Sequence, residues 1–415
     1  MPGYWGGQGL CVATSFRTTM STSFATPDSG HSDPRTPGKV AKSSSVGKVS
    51  KYILPENCEQ YQKFSYDRAF ELEPFKDKTA FRQFLKVKLP QSVPDVQRRG
   101  QKSFLALANE VAKFIQSEQY LFLYLVFLPT YDFTLDSQKG PTLVFEETGN
   151  KTPRGHVTDT QCRPNITAAF GEHWMNGTVS WPFIRLAGEV ASKGKSPEEQ
   201  FVQAVSYLHY LLLARPDLYV AQGLLSDDDK VTFLFGIGGE GIRQFVVEWK
   251  DPDLNKLLYA FIYRLYEPGD FADPSFTKTE VHKDTEAKYT ITINYLEGPK
   301  DCGDFYPIYA RNPFATRTHV LSNPNFKVGD NVLTVLKDQL CRKRRFEERK
   351  ILRRVHKPKG VPGVVVAAYG EKIKPPLSED RCKHRLGLGE SGSPFTSIPT
   401  LSKVLETLFD VLEGI

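Results

Sequence analysis

The stretch NVLTVLKDQLCRKRRFEERKILRRVH, Asn331 to His356, decides how the rest of the chain is read. VLTVLK is apolar and β-branched, reads as a strand, and carries one lysine, Lys337, at its end. FEERKILRRVH follows. It places Phe346, Ile351, Leu352 and Val355 on one face of a helix and opens with Glu347 and Glu348. Taken alone, a lysine at a strand end is ordinarily solvated, and a basic helix ordinarily offers an exposed face. A strand lysine followed by a helix glutamate is also the arrangement that holds an ammonium group ready for phosphate. The segments on either side have to choose between these readings.

At 415 residues the chain is long enough for two or three domains. It is 40% hydrophobic and 25% charged, a balance that folds as a globule. No apolar run reaches the roughly 18 residues of a membrane helix, so no membrane partner is expected. The longest run, Tyr120–Leu128, has the length of a strand. The net charge of +6 is mild and demands no nucleic acid. Cysteines stand at 11, 58, 162, 302, 341 and 382, none in C-x-x-C spacing, so spacing alone indicates no metal or redox site. Scattered cysteines and an N-terminus without a secretory pattern suit a reducing, intracellular compartment, cytoplasm or nucleus.

Residues 1–54 are rich in Ser, Thr, Gly and Pro and read as a disordered tail. Its lysines, KVAKSSSVGKVSK, suit a solvating linker better than a nuclear address. Residues 55–295 read as an α/β domain. DKTAFRQFLKVKL and SFLALANEVAKFIQSEQ show helical periodicity, and GPTLVFEET reads as a strand. RPNITAAF and SWPFIRLAGEV read as two more strands. SPEEQFVQAVSYLHYLLLARP reads as an amphipathic helix opened by a capping box of Ser196 and Glu199. YVAQGLL, KVTFLFGI and RQFVVEW continue as strands, and Asp251–Tyr266 as a closing helix. The run Gly236–Gly241 fits G-x-G-x-x-G, but a strand follows it instead of a helix, so the glycines read as a hairpin turn.

Residues 155–245 resemble the restriction-nuclease-like core, in which a Pro-Asp and a Glu-x-Lys hold a divalent metal for phosphodiester cleavage. The matching positions are Pro164-Asn165 and Glu189-Val190-Ala191, with Lys193 two residues beyond the usual lysine. Asparagine in place of aspartate removes an anionic ligand that Mg²⁺ requires. The resemblance therefore implies a degenerate site of Asn165, Glu189 and Lys193 without a bound metal.

Residues 296–415 add FATRTHVL, VLKDQL, EERKILRRVHKPKGVPGV and RCKHRLGLGESGSPF, in that order, then a helix in IPTLSKVLETLFDVLEGI. VLTVLK is similar to the V-A-I-K strand of protein kinases, and the frame Glu-x-x-Ile-Leu-x-x-Val of the following helix selects Glu348 over Glu347. From about residue 160 the chain resembles the fungal-type protein kinase family, in which a nuclease-like domain precedes the kinase domain. The fold class so implied is mixed α+β and α/β: a nuclease-like α/β domain, then a partial kinase-like domain of N-lobe, hinge and one C-lobe helix.

The resemblance implies ATP and Mg²⁺ as cofactors and Ser/Thr phosphorylation of proteins as the family activity. It makes Lys337 the phosphate-contacting lysine and Glu348 its ion-pair partner. Ala315, Thr316 and Arg317 match the glycine-loop equivalent, and Leu388, Gly389 and Glu390 fall at the hinge. Neither an H-R-D-type nor a D-F-G-type motif occurs in the 415 residues, so no catalytic residue is expected among them. The chain is expected to be inactive alone, cut short before the catalytic loop. The alternatives are a pseudokinase fragment that binds a protein partner, and a nucleic-acid binder using the nuclease-like scaffold and the basic run Arg342–Arg345.

Overall fold

The computed structural model describes residues 104–116, 142–149, 151–158, 160–191, 195–251, 254–279, 287–295, 298–311, 313–328, 331–343, 348–357, 365–376, 378, 380–389 and 400. The N-terminal tail, the helix expected near residue 80, the strand expected at Tyr120–Leu128, Lys193, Glu390 and most of the last expected helix lie outside these residues. Among the described residues, two mixed layers of strand and helix are stacked, consistent with an α+β or α/β class.

The first sheet has six strands in sequence order: β1 (Leu143–Glu147), β2 (Ile166–Phe170), β3 (Leu186–Val190), β4 (Val220–Ser226), β5 (Lys230–Ile237) and β6 (Gly241–Glu248). Only β3 and β4 are parallel. A parallel pair needs a crossover connection, and helix α2 (Pro197–Ala214) supplies it. Its start is fixed as expected: the Ser196 hydroxyl accepts from the Glu199 amide, and the Glu199 carboxylate accepts from the Ser196 amide, each at 3.2 Å. Helices α1 (residues 104–116) and α3 (Leu254–Tyr266) cover the opposite face, where Phe104, Val111 and Ile115 meet Phe233, Phe235 and Phe261.

The second sheet has seven antiparallel strands in the order β14-β15-β13-β10-β9-β8-β7. These are β7 (Phe276–Thr279), β8 (Lys288–Tyr295), β9 (Gly298–Arg311), β10 (Arg317–Ser322), β13 (Val335–Arg342), β14 (Ala367–Ile373) and β15 (Arg381–Leu388). A small hairpin of β11 (Lys327–Val328) and β12 (Asn331–Val332) sits between β10 and β13. Helix α4 (Glu348–Val355) connects β13 to β14. Residue 296, the expected start of the second domain, lies between β8 and β9, which pair closely, so the second sheet reaches back to Phe276. Lys337 is likewise not at a strand end: β13 runs five residues past it.

Helix α2 was expected to be amphipathic, yet it is buried almost all round from Gln200 to Ala214. The second sheet explains the difference. Tyr207, Leu208, Leu211 and Leu212 share one apolar cluster with Ala221 and Leu234 of the first sheet and with Tyr289, Phe305, Leu321 and Leu336 of the second. A helix between two sheets has no wet face to advertise.

The G-x-G-x-x-G run is a hairpin turn, with Ile237 paired to Gly241 and φ of +78° at Gly239. It also receives the second sheet. The Gly239 amide donates to the Pro313 carbonyl at 2.7 Å. A Cβ on Gly236 would lie 3.3 Å from the Phe314 ring, and one on Gly238 2.9 Å from the Arg317 guanidinium. These glycines are needed for close approach as well as for the turn.

Candidate functional site

Strand alternation divides the second sheet into two chemically different faces. Cross-strand registry puts Lys337, Gln339 and Cys341 of β13 on one face with Thr318 and Val320 of β10 and with Cys382, His384 and Leu386 of β15. Leu336, Asp338 and Leu340 lie on the other face with Arg317, His319 and Leu321 of β10 and with Lys383 and Arg385 of β15. That second face packs against α2 and the first sheet.

On the first face, the Lys337 ammonium donates to both carboxylate oxygens of Glu348, at 2.7 and 2.9 Å. Lys337 is a quarter exposed and Glu348 more than a third, so solvent screens the pair and its stabilisation is about 0–1 kcal/mol. The pair does little for the fold, but it fixes the lysine. An open cleft adjoins it, lined by Gln339, Arg349, Lys372 and His384 among others. Arg349 donates to the Gly370 carbonyl and so ties α4 to β14. Helix α4 has no fully buried residue: of the apolar face expected for it, Leu352 and Val355 are half-buried and Ile351 is exposed.

The expected glycine-loop residues are not brought to this cleft. Arg317 is buried on the opposite face, 4% exposed. Its guanidinium donates to the carbonyls of Leu212 at 3.0 Å, of Arg215 at 2.6 Å and of Leu218. It closes the C-terminal end of α2, where carbonyls lack intrahelical partners. A role for Arg317 at a nucleotide is thereby corrected to a role at the junction of the two sheets. The turn before it is held in the same place: Phe314 is buried edge-on to the His209 ring, and Ala315 packs by Gly239. Thr316 is half-buried. At the expected hinge, the Gly389 carbonyl accepts from the Thr334 hydroxyl at 3.1 Å, and Leu388 pairs with Val335.

The buried face carries a charge cluster that sequence inspection did not single out. Arg385 grips Asp338 with two bonds of 2.8 and 2.9 Å, and Lys383 meets Asp338 at 2.6 Å and Asp273 as well. All four side chains are buried. The two cations hold both carboxyls below the usual carboxylate range despite burial. Asp273 comes from the link between α3 and β7, so the cluster fastens that link to β13 and β15.

In the first sheet, Glu189 is fully buried at the end of β3, and Asn165 lies beside it, its amide donating to the Gly188 carbonyl at 3.1 Å. Lys195 is the cation that the described residues bring to Glu189, at 3.4 Å; Lys193 lies outside them. The Lys195 ammonium also donates to Gln203 Oε1 at 2.6 Å, Gln203 Nε2 donates to the Tyr207 hydroxyl at 2.6 Å, and that hydroxyl donates to Glu189 Oε2 at 2.6 Å. The four groups close a ring. Burial raises the Glu189 pKa, while Tyr207 and Lys195 pull it back. Both carboxylate oxygens are already engaged, by an ammonium and a phenol, and Asn165 adds no charge. This donor set does not fit Mg²⁺, which wants several anionic oxygens.

No protein-family model, no curated protein and no solved structure matches the chain.

Proposed function

We propose that the chain is a fungal-type protein kinase homologue whose second sheet presents Lys337 to the phosphates of a nucleotide. The observation that carries this reading is the two-bond contact between Lys337 and Glu348. A solvated strand lysine has no need of such a grip, whereas a phosphate-binding lysine must be held in position. The elements agree in order. Leaving aside the short β11–β12 hairpin, β13 is the third strand after the β8–β9 turn, a helix bearing the glutamate follows, and two antiparallel strands complete the sheet. The family's activity is ATP-dependent phosphorylation of Ser/Thr in proteins, with Mg²⁺. The residues in hand would supply lysine and glutamate, while the base and metal-binding aspartates would have to come from outside them. The first sheet, with its parallel β3–β4 pair and α2 crossover, supports a nuclease-like scaffold whose metal chemistry has been replaced by the Glu189–Lys195 ring.

The test is nucleotide-dependent stabilisation of the full chain. ATP at 100 times its Kd adds about 2.7 kcal/mol to the stability of a protein that binds it only when folded. The reading expects a raised melting midpoint with ATP that disappears in Lys337→Met and weakens in Glu348→Gln. An ATP response equal in Lys337→Met and wild type, or none in wild type at millimolar ATP, would sink it.

A second reading is nucleic-acid binding. Arg342, Lys343, Lys350, Arg353, Arg354 and Lys357 are all exposed around the start and outer side of α4. A DNA affinity falling steeply with salt, and lost on neutralising Arg353 and Arg354, would favour it.

A further inference from the structure

Beyond Lys337 the same face of the second sheet carries a group of side chains that spacing in the sequence conceals. Cys341 and Cys382 are direct cross-strand partners on β13 and β15. His384, two residues after Cys382, lies on the same face and diagonal to Cys341. The two sulfurs and one imidazole nitrogen all lie within 4.8 Å of one another. Cys382 Sγ and His384 Nε2 are 3.0 Å apart. Both cysteines are buried, and His384 is partly exposed.

We propose that Cys341, Cys382 and His384 form a site for a thiophilic divalent cation of the zinc class. The donor set is right for it: two thiolates and an imidazole are ligands of borderline-soft d¹⁰ ions, and no hard-cation carboxylate is among them. The geometry is close. A tetrahedral ion with Zn–S of about 2.3 Å and Zn–N of about 2.0–2.1 Å sets its ligand atoms roughly 3.5–3.8 Å apart. The three atoms can reach that spacing by side-chain rotation on a rigid pair of strands. Charge also balances, since binding exchanges two thiol protons for a double positive charge. Among the other described cysteines, Cys162 and Cys302 are pushed up to about 12 by burial, which keeps them as protonated thiols.

Three protein ligands leave one coordination position. His384 lines the cleft beside Lys337, so an ion would enter from the cleft and its fourth position would face that side. Water or an anion drawn by Lys337 would complete the shell. The site does not depend on nucleotide binding; it rests on three residues that the kinase-like reading does not use.

The experiment uses the full chain, stripped with a chelator and kept reduced, and titrated with Co²⁺ as the spectroscopic stand-in for zinc. The expected result is one equivalent of cobalt bound, with thiolate-to-cobalt charge transfer and the visible bands of tetrahedral Co²⁺, all displaced by Zn²⁺. Cys382→Ser should weaken binding by more than the roughly 10–100-fold that loss of even an outer-shell partner costs. His384→Gln, at a partly exposed position, leaves the thiols in place and keeps the charge-transfer band at lower affinity, so the reading stays testable if the buried cysteine variant misfolds. Cobalt spectra unchanged in a Cys341→Ser/Cys382→Ser variant would overturn the proposal. So would a fully reduced wild type that takes no cobalt.

Discussion

Replacing Arg317 by methionine separates a nucleotide contact from a structural one. Methionine fills a similar volume and donates no hydrogen bond. The carbonyls of Leu212, Arg215 and Leu218 then lose a charged donor inside a closed junction. Charge-assisted bonds contribute about 1.5–3 kcal/mol each, but the guanidinium also costs free energy to bury, and its pKa is lowered by burial to about 10. Removing one member of such a buried set typically costs about 3–5 kcal/mol. With an m-value near 3 kcal/mol/M this moves the urea midpoint down by about 1–1.7 M. Arg317→Lys should fall between, since an ammonium keeps the charge and cannot span three acceptors in the plane of a guanidinium. ATP affinity, measured well below the unfolding transition, should be unchanged in both variants. The reasoning is refuted if Arg317→Met unfolds within about 1 kcal/mol of wild type, or if it keeps its stability and loses nucleotide binding.

Two further outcomes follow from buried ionisable groups. His319 is 3% exposed beside Arg317, with its pKa lowered from 6.5 to about 3 by burial first and by that neighbour second. The folded state keeps the imidazole neutral while the unfolded chain takes up a proton below 6.5, so stability is full above that pH and falls as the pH drops toward 3. At pH 5 the loss from this group is about 2 kcal/mol relative to pH 7.5. His319→Gln, which can still donate to the Leu213 carbonyl, should lose less stability than wild type over that interval in urea titrations; parallel losses would contradict the assignment. At the other sheet, Lys195→Met leaves Glu189 buried without its cation and should destabilise by about 2–4 kcal/mol, with part regained in Lys195→Met/Glu189→Gln. Equal stabilities of the single and double variants in the same assay would count against the ring.

The strands of the first sheet and β13 of the second were legible because their apolar and β-branched runs are short and bounded by turns; β7 and β9 were not, since FTKT and GPKDCGDFYPIYAR carry no such run. The capping box at Ser196 and the hairpin at Gly238–Glu240 were legible for the same reason: each is a local arrangement with its own residues. The partnership of Lys337 with Glu348 could be anticipated from an order of segments. What could not be read are relations between distant strands. The surroundings of α2 depend on a second sheet that begins some sixty residues after it. Lys195 meets Glu189 and Gln203 across the gap between β3 and α2, a contact that spacing does not record. Cys341 and Cys382 stand forty-one positions apart, and only the registry of β13 with β15 makes them neighbours.

The two faces of β13 then account for where chemistry is open to this chain. Its even-numbered residues are committed to the junction: Leu336 to the apolar cluster around α2, and Asp338 to Arg385 and Lys383. A ligand on that face would have to displace the first sheet and expose a buried set of charges, which costs far more than a nucleotide contact returns. The odd-numbered residues carry Lys337, Gln339 and Cys341 on a half-open face, with α4 at one end. Arg317 and Lys337 sit on adjacent strands, yet registry puts their side chains on opposite sides of the sheet, and a one-residue slip would exchange their roles. The turn at Pro313–Ala315 is pinned to the Gly238–Gly239 turn, so a nucleotide on the open face would be gripped from β13 and α4 rather than from that turn. Phosphate recognition here would therefore depend on side-chain charge more than on backbone amides, and its affinity should fall more steeply with salt than that of a glycine-rich phosphate loop.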